Sequence, residues 1–250
     1  MRSAKKVFVL ASVFCSLTAF AGEHGSVHHV WSYEGKTGPE HWGNIKKEFV
    51  ACTQGATQSP VDLTRSDLPE GKRDIQFFYR ASRMTLVNNG HTIQVNYDKG
   101  SSIRIDGKQY DLLQFHFHTP SEHAVLGRVS PMEVHLVHKA QDGELAVIGV
   151  MMNEGREHAL IKTLWKDIPK KEGDPVTHKN TWINAFNLLP AAREHYHYKG
   201  SLTTPPCTEG VNWNVMTTAI EVSKTQINAF RELFPMNARP IQPRKDVETA

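Results

Sequence analysis

The chain has 250 residues, of which 39% are hydrophobic, 22% charged and 9% aromatic. This composition fits one sizeable globular domain or two small ones, and it excludes disordered, collagen-like and low-complexity chains. The formal net charge of +3 is too small to indicate a nucleic-acid partner. The chain contains 14 histidines, and histidine is the commonest metal ligand in proteins.

The first residues have the pattern of a secretory signal peptide. Arg2, Lys5 and Lys6 precede the apolar stretch 7–17, and Ala19-Phe20-Ala21 supplies the small-x-small pattern of a cleavage site. We therefore predict that residues 1–21 are a signal peptide cleaved after Ala21. An uncleaved membrane anchor is the alternative, although the apolar stretch is shorter than the roughly 20 residues that span a bilayer.

Cleavage would leave residues 22–250 as one nearly neutral domain, periplasmic or secreted, with no membrane span. Two of the three cysteines would remain, Cys52 and Cys207. In an oxidising compartment this pair is expected to form a disulfide. Closing a loop of about 155 residues would stabilise the fold by up to ~5 kcal/mol in the chain-entropy model. Two free buried thiols are the alternative.

The middle of the chain has the alternating pattern of β-strands. Apolar residues alternate with polar ones at Ile93, Val95 and Tyr97, and again at Ile103 and Ile105. Asp106-Gly107 is a predicted turn, and it precedes a predicted strand over 110–118. A second predicted turn, Gln141-Asp142-Gly143, joins two strands over 133–139 and 145–152 into a hairpin.

Two short helices are predicted at the periphery of this sheet. One begins after Ser223, which forms a capping box with Gln226, and ends before Pro235. The other covers about 156–166. The predicted fold is mainly β (α+β): a single domain with a large, mostly antiparallel twisted central sheet and short peripheral helices.

Two histidines on one predicted strand raise the question of a metal site. In the segment 114–118, Gln-Phe-His-Phe-His, the two-residue period sends both histidines to one face and both phenylalanines to the other. His135 lies on the next predicted strand, and Glu133 on the same face suits a carboxylate that accepts an N–H from a metal-bound imidazole. An H-x-H pair alone is also compatible with surface or hydrogen-bonded histidines.

Eight short motifs follow one another along the chain. They are Gly38-Pro39-Glu40-His41-Trp42, Gln58-Ser59-Pro60-Val61, Asn88-Asn89-Gly90-His91, the run 114–118, Ser121-Glu122-His123, the run 133–138, Leu145-Ala146-Val147-Ile148-Gly149 and Gly200-Ser201-Leu202-Thr203-Thr204-Pro205-Pro206. In these motifs and in their order the sequence resembles the α-class carbonic anhydrases, from Trp31 to about Arg239. Thr119-Pro120, where animal members carry Trp-Gly, is similar to the bacterial branch, and with the signal pattern and the cysteine pair it indicates a bacterial periplasmic type.

The resemblance implies that residues 22–250 form a catalytic domain, a lyase that reversibly hydrates CO₂ to bicarbonate and a proton. His116, His118 and His135 would hold a Zn²⁺ ion, whose bound hydroxide would attack CO₂. Gln114 and Glu133 would accept hydrogen bonds from His116 and His135 respectively.

The resemblance also implies the surroundings of the reacting molecules. Thr203 would accept a hydrogen bond from the hydroxide and donate one to Glu122. The backbone N–H of Thr203, beside Thr204, would meet the developing bicarbonate. Uncharged CO₂ would lie against apolar side chains, namely Val137, Val147, Leu202 and Trp213.

His91 would act as the proton shuttle, since an unperturbed imidazole pKa of about 6.5 suits a base near neutral pH. Tyr33, Asn89 and Gln94 would order water along the path. Without the resemblance, His91 is equally well a solvated loop histidine.

The remaining histidines receive no catalytic role. His123 and His138 are expected to be buried and hydrogen-bonded. Beyond CO₂ and bicarbonate no partner is predicted, and a homodimer is left open. The histidines without any assigned role are His24, His28, His29, His195 and His197.

Three other functions remain as alternatives. A non-enzymatic binding module could share the fold, but members of that kind have substituted ligand histidines. A zinc protease is disfavoured because the chain lacks an H-E-x-x-H helix. A periplasmic zinc carrier would use the N-terminal histidines.

Overall fold

The computed structural model describes residues 30–71 and 74–244. The predicted signal peptide, residues 1–21, and the histidines at 24, 28 and 29 lie outside these ranges. Among the described residues, no helix has the length and apolar character needed to cross a membrane.

Within these ranges the chain forms two β-sheets. In chain order the strands are β1 Asp62–Leu63, β2 Ile75–Phe78, β3 Ser82–Asn88, β4 Ile93–Asn96, β5 Ser102–Ile105, β6 Lys108–His118, β7 Ala124–Val125, β8 Arg128–Val129, β9 Met132–Ala140, β10 Leu145–Glu154, β11 Val176–Ile183, β12 His195–Ser201, β13 Glu209–Met216 and β14 Ile220–Val222.

The main sheet has 11 strands and contains the central path β11-β3-β4-β6-β9-β10-β13-β12. Neighbours along this path are antiparallel, except that β10 pairs in parallel with β13. It also pairs in parallel with β14, off this path. A small sheet has the order β1-β7-β8. The predicted fold class is thus confirmed, whereas the parallel pairing of β10 was not predicted.

The predicted strands of the middle region are present with small shifts at their ends. Strand β6 begins at Lys108, two residues before the predicted start, and continues to His118. The hairpin of β9 and β10 is confirmed, and its turn contains Gly143 at a φ of 93°, a conformation that glycine adopts without steric cost.

The helices are short and lie at the periphery, as predicted. Ser223 and Gln226 form the predicted capping box at the start of the last one. The helix predicted over 156–166 begins later, at Ala159, because His158 caps its first turn. The bounds are α1 Trp42–Ile45, α2 Ala51–Gln54, α3 Ala159–Lys166 and α4 Lys224–Arg231.

Helices α3 and α4 cover the face of β6 that carries the phenylalanines. Trp165 of α3 stacks on Phe230 of α4 at a centroid distance of 5.8 Å, and Phe230 lies 6.1 Å from Phe117. Phe115 and Phe117 are fully buried in this core. The opposite face of β6, which carries the histidines, is therefore held in place by a packed layer behind it.

The disulfide joins Cys52 and Cys207, so the two cysteines are not free thiols. Both sulfurs lie in a buried cluster with Trp42. The bridge attaches the N-terminal segment to the connection between β12 and β13.

Candidate active site

Three imidazoles meet on one face of the central strands. His116 and His118 lie on β6, and the strand register places His135 of β9 directly opposite His116. The ring centroids are 4.6 to 5.4 Å apart. One nitrogen from each ring can be chosen so that all three lie within 4.8 Å of one another. The two-residue period of the strand therefore produces the predicted convergence.

Two of the rings are oriented by side chains that come two positions earlier on the same strand. His116 Nδ1 donates to Gln114 Oε1 at 2.8 Å. His135 Nε2 donates to Glu133 Oε1 at 2.8 Å. These contacts leave His116 Nε2 and His135 Nδ1 to face the centre of the cluster.

The third ring is oriented by a residue that sequence reasoning missed. His118 Nδ1 donates to the backbone carbonyl of Asn237 at 2.8 Å. His118 Nε2 is buried and has no hydrogen-bond partner among the described residues. Asn237 follows α4 and contributes a backbone atom, so its side-chain type carries no sign of this role in the sequence.

The pKa shifts of His116 and His118 suit metal ligands, which bind through a neutral imidazole. Burial lowers the pKa of His116 and of His118, so both rings are neutral and have a lone pair. Burial also lowers the pKa of His135, but the Glu133 carboxylate more than offsets this and raises it above its ordinary value. Three oriented imidazoles, one with an unpartnered buried nitrogen, fit the three-histidine set that catalytic zinc prefers.

Glu122 is buried and faces the same cluster. Its Oε1 accepts the backbone N–H of Arg239 at 2.9 Å, a contact not predicted from the sequence. Its Oε2 lies 3.5 Å from His118 Nε2 and 3.7 Å from His135 Nδ1 and has no hydrogen-bond partner within the described ranges. The structure therefore shows no hydrogen bond from Thr203 to this oxygen, which the resemblance had led us to expect.

The loop between β12 and β13 carries Thr203 and Thr204. Its two ends are joined where Leu202 N donates to Thr208 O at 2.9 Å, and Cys207 N donates to Thr204 O at 2.8 Å. The disulfide at Cys207 attaches the same loop to the N-terminal segment. The backbone around both threonines is thus held at several points.

The four residues predicted to form an apolar wall belong to one hydrophobic cluster. Val147 lies between Val137 and Trp213 in the strand register. Leu202 packs against this cluster from the loop. The Trp213 ring is 4.8 Å from the ring of His135, so the apolar cluster borders the histidines.

His91 stacks on Trp31, with ring centroids 3.7 Å apart and planes 6° from parallel. The Tyr33 ring meets it edge-on at 6.4 Å. These residues line a cavity of about 280 Å³. Burial, together with the charge of Glu122, raises the pKa of the Tyr33 phenol, which therefore keeps its proton.

The other two residues predicted along the proton path are Asn89 and Gln94, which come before and after His91 in the chain. Gln94 is opposite His116 in the register of β4 and β6. Asn89 Oδ1 accepts the backbone N–H groups of His91 and Thr92 at 3.1 and 3.0 Å. The side-chain oxygen of Asn89 therefore stabilises the turn that carries His91.

His123 and His138 are buried and hydrogen-bonded, as predicted. His123 Nδ1 donates to Glu133 Oε1 at 2.8 Å, and its Nε2 lies 2.7 Å from the Tyr198 hydroxyl. His138 Nε2 accepts from Tyr79 at 2.6 Å. Burial lowers the pKa of His138 to about 3, so this ring is neutral.

His195 and His197 lie on β12, where backbone carbonyls hold both rings. His195 Nδ1 donates to Arg193 O at 3.0 Å, and His197 Nδ1 donates to Trp213 O at 3.0 Å. The structure gives no catalytic assignment to either residue.

Comparison with known proteins places these features in a family. The family model described as eukaryotic-type carbonic anhydrase matches residues 37–246. A carbonic anhydrase of Nostoc sp. is 40% identical over 95% of this chain and 91% of its own length. A carbonic anhydrase of Neisseria gonorrhoeae is 40% identical over 93% of this chain and 92% of its own.

Solved structures agree with the sequence comparisons. The α-carbonic anhydrase of Thermovibrio ammonificans, solved in complex with the inhibitor sulfanilamide, superimposes with a TM-score of 0.83. The two chains are 39% identical, and the match covers 89% of this chain and 98% of the other.

Proposed function

The chain belongs to the eukaryotic-type, or α-class, carbonic anhydrase family and is a carbonic anhydrase, and from this premise we propose how its residues carry out CO₂ hydration. His116, His118 and His135 hold a Zn²⁺ ion, and His91 carries protons between the site and solvent. The buried, unpartnered His118 Nε2 between two oriented imidazoles is the observation that carries the zinc proposal. Within residues 30–71 and 74–244, no comparable observation supports a zinc protease, and the N-terminal histidines that a zinc carrier would use lie outside these ranges.

The metal supplies one chemical function. When bound, Zn²⁺ lowers the pKa of a coordinated water from 15.7 to about 7, which makes a hydroxide available at neutral pH. The protein sets the direction of the three donor atoms. Gln114, Glu133 and the backbone of Asn237 each fix one ring, so the imidazoles need no reorganisation to bind the ion.

The substrate lies on the apolar side of the site. CO₂ is uncharged and poorly hydrated, so it is favoured against Val137, Val147, Leu202 and Trp213. This cluster borders His135 through the Trp213 ring. The cluster would therefore hold CO₂ beside the three imidazoles by apolar contact rather than by charge.

Two polar residues act on the reacting oxygens. The Thr203 hydroxyl would accept a hydrogen bond from the nucleophile that zinc supplies and would so orient it towards CO₂. The backbone N–H of Thr203, beside Thr204, meets the oxygen on which negative charge develops. Glu122 Oε2 faces the cluster without a hydrogen-bond partner among the described residues, so it is available as a further acceptor beside the reacting oxygens.

Each turnover releases a proton that must reach solvent. His91 accepts it through water ordered by Tyr33, Asn89 and Gln94. Tyr33 contacts the His91 ring, and Gln94 lies opposite His116, so these side chains extend from the shuttle to the histidine cluster. The exposed cavity beside His91 gives the imidazole a route for passing the proton to buffer.

Replacing His91 with alanine tests the shuttle. We expect kcat for CO₂ hydration to fall about tenfold or more, since a positioned acid–base group contributes roughly 10²- to 10⁴-fold to a rate. The value of kcat/KM should change little, because attack on CO₂ precedes proton release. Stopped-flow assays in a bulky buffer, and then with added imidazole, provide the measurement. Imidazole should restore part of the rate, and an unchanged rate in every buffer would remove His91 from the mechanism.

We also propose that the mature enzyme comprises residues 22–250 and works outside the cytoplasm. The charged, apolar and small-x-small pattern of residues 1–21 supports export. The disulfide between Cys52 and Cys207 fits an oxidising compartment.

A further inference from the structure

The turn that carries His91 lies beyond the end of a strand ladder. Strands β4 and β6 pair at Gln94 with His116, Val95 with Phe115 and Asn96 with Gln114, and the register ends there. His91 and Thr92 precede β4 and lie outside the residues that this register pairs. The position of His91 relative to His116 and His118 must therefore be set by other contacts.

Two side chains provide these contacts at Phe117. Thr92 Oγ1 donates to Phe117 O at 2.6 Å and lies 3.2 Å from Phe117 N, which donates to it. Asn237 Nδ2 donates to Phe117 O at 3.0 Å and to His91 O at 2.9 Å. One carboxamide thus joins the backbone of His91 to the strand between the two ligand histidines.

The remaining polar atoms of Asn237 bind the end of the same strand. The side-chain oxygen Oδ1 accepts the backbone N–H of Thr119 at 2.7 Å, and the backbone N–H of Asn237 donates to Thr119 O at 3.0 Å. Its carbonyl accepts from His118 Nδ1 at 2.8 Å. Asn237 is 1% exposed, so these hydrogen bonds form without competition from water.

We propose that Asn237 and Thr92 are positioning residues for proton transfer, which fix the turn carrying His91 against the strand carrying His116 and His118. This inference rests on the proposed role of His91 as the shuttle. The rate of proton transfer through ordered water depends on how well the donor and the acceptor are positioned relative to each other. A displacement of about 1 Å can cost up to 10²-fold in rate. The side chains of both residues bind backbone groups of the His91 turn and of the strand end beside it, so the proposed effect on proton transfer acts through His91.

The first test uses metal-free protein to measure how firmly Asn237 and Thr92 anchor the turn that carries His91. Amide hydrogen exchange is compared in wild type, Asn237→Ala and Thr92→Val. The amides of His91 and Thr92, which donate to Asn89 Oδ1, should exchange about tenfold faster in both variants. Thr92→Ser, which keeps the hydroxyl, should restore protection. Unchanged exchange at these amides would overturn the anchoring whether or not His91 is the shuttle.

Asn214→Ala is the matched control for Asn237→Ala. Asn214 is fully buried and its Nδ2 also donates two hydrogen bonds, to the backbone and side-chain oxygens of Asn212. It lies on β13, whose neighbours are β10 and β12. Its replacement should leave the exchange of His91 and Thr92 and the buffer dependence of kcat unchanged. If it alters them as strongly as Asn237→Ala does, the effect is general destabilisation and the proposal fails.

The second test is a double-mutant cycle with His91→Ala. Asn237→Ala and Thr92→Val should each lower kcat about tenfold in a bulky buffer and respond to imidazole. Thr92→Val should also leave kcat/KM and bound zinc unchanged, since Thr92 makes no hydrogen bond to a ligand histidine. Added to His91→Ala, neither should lower kcat further, because they act through the same side chain. Effects that multiply would overturn the proposal.

The outcomes separate this proposal from the one on which it rests. If His91→Ala leaves kcat unchanged, the shuttle assignment fails while the exchange data still decide the anchoring. If His91→Ala behaves as expected but the anchoring variants match wild type, only the positioning role fails. Should Asn237→Ala not fold, Thr92→Val and Thr92→Ser carry both tests.

Discussion

His118→Ala is expected to lower the affinity for Zn²⁺ by at least about a hundredfold, since even losing a residue that orients a ligand costs about 10- to 100-fold. CO₂ hydration should fall to the uncatalysed rate at ordinary zinc concentrations. His118 supplies a buried Nε2 that has no other partner within the described residues, so its removal takes one of the three imidazole donors away from the cluster. Zinc competition with a chromophoric chelator measures the affinity, and stopped-flow assays measure the rate.

The control for this variant is His41→Ala. The His41 side chain is half exposed and lies 3.6 Å from the Glu40 carboxylate. Its removal should leave zinc content and turnover at wild-type levels. A His118→Ala protein that hydrates CO₂ at full rate without zinc would refute the assignment of the three ligands.

Thr203→Ala is expected to reduce kcat/KM for CO₂ hydration by about a hundredfold, the typical cost of removing one preorganised hydrogen-bonding group from a reacting centre. Zinc should remain bound, because none of the three imidazoles contacts the threonine through a hydrogen bond in the structure. Stopped-flow kinetics and metal analysis on the same samples separate the two effects. Thr203→Ser keeps the hydroxyl and should retain most of the activity.

Thr208→Ala provides a matched control in the same loop. Thr208 is exposed, and its backbone carbonyl, which the substitution preserves, accepts from Leu202 N at 2.9 Å. Wild-type kinetics are expected. Equal losses in Thr203→Ala and Thr208→Ala would mean that loop structure, rather than the Thr203 hydroxyl, controls the rate.

Local sequence patterns were enough to predict the strands that build the site. The two-residue alternation in 114–118 places His116 and His118 on one face because strand geometry enforces it. The Gln141-Asp142-Gly143 turn places β10 beside β9, and the capping box places the start of α4. In each case the determining residues are close together in the chain.

Contacts between segments that are distant in the chain could not be predicted from such local sequence patterns. The parallel pairing of β10 with β13 joins segments far apart in sequence, and hydrophobic alternation alone does not specify a partner strand. Asn237 and Arg239 reach the site through backbone groups, which every residue possesses. The hydrogen bond expected from Thr203 to Glu122 is not present in the structure, and such a bond depends on side-chain rotamers that the order of residues along the chain does not determine.

The most direct measurement is stopped-flow CO₂ hydration by purified protein before metal removal, after it, and after zinc is returned. Removing the metal should abolish catalysis, and one equivalent of Zn²⁺, but not of Mg²⁺, should restore it, because three imidazole nitrogens favour zinc over an oxygen-seeking cation. Full activity in protein shown by metal analysis to be free of zinc would contradict the zinc mechanism.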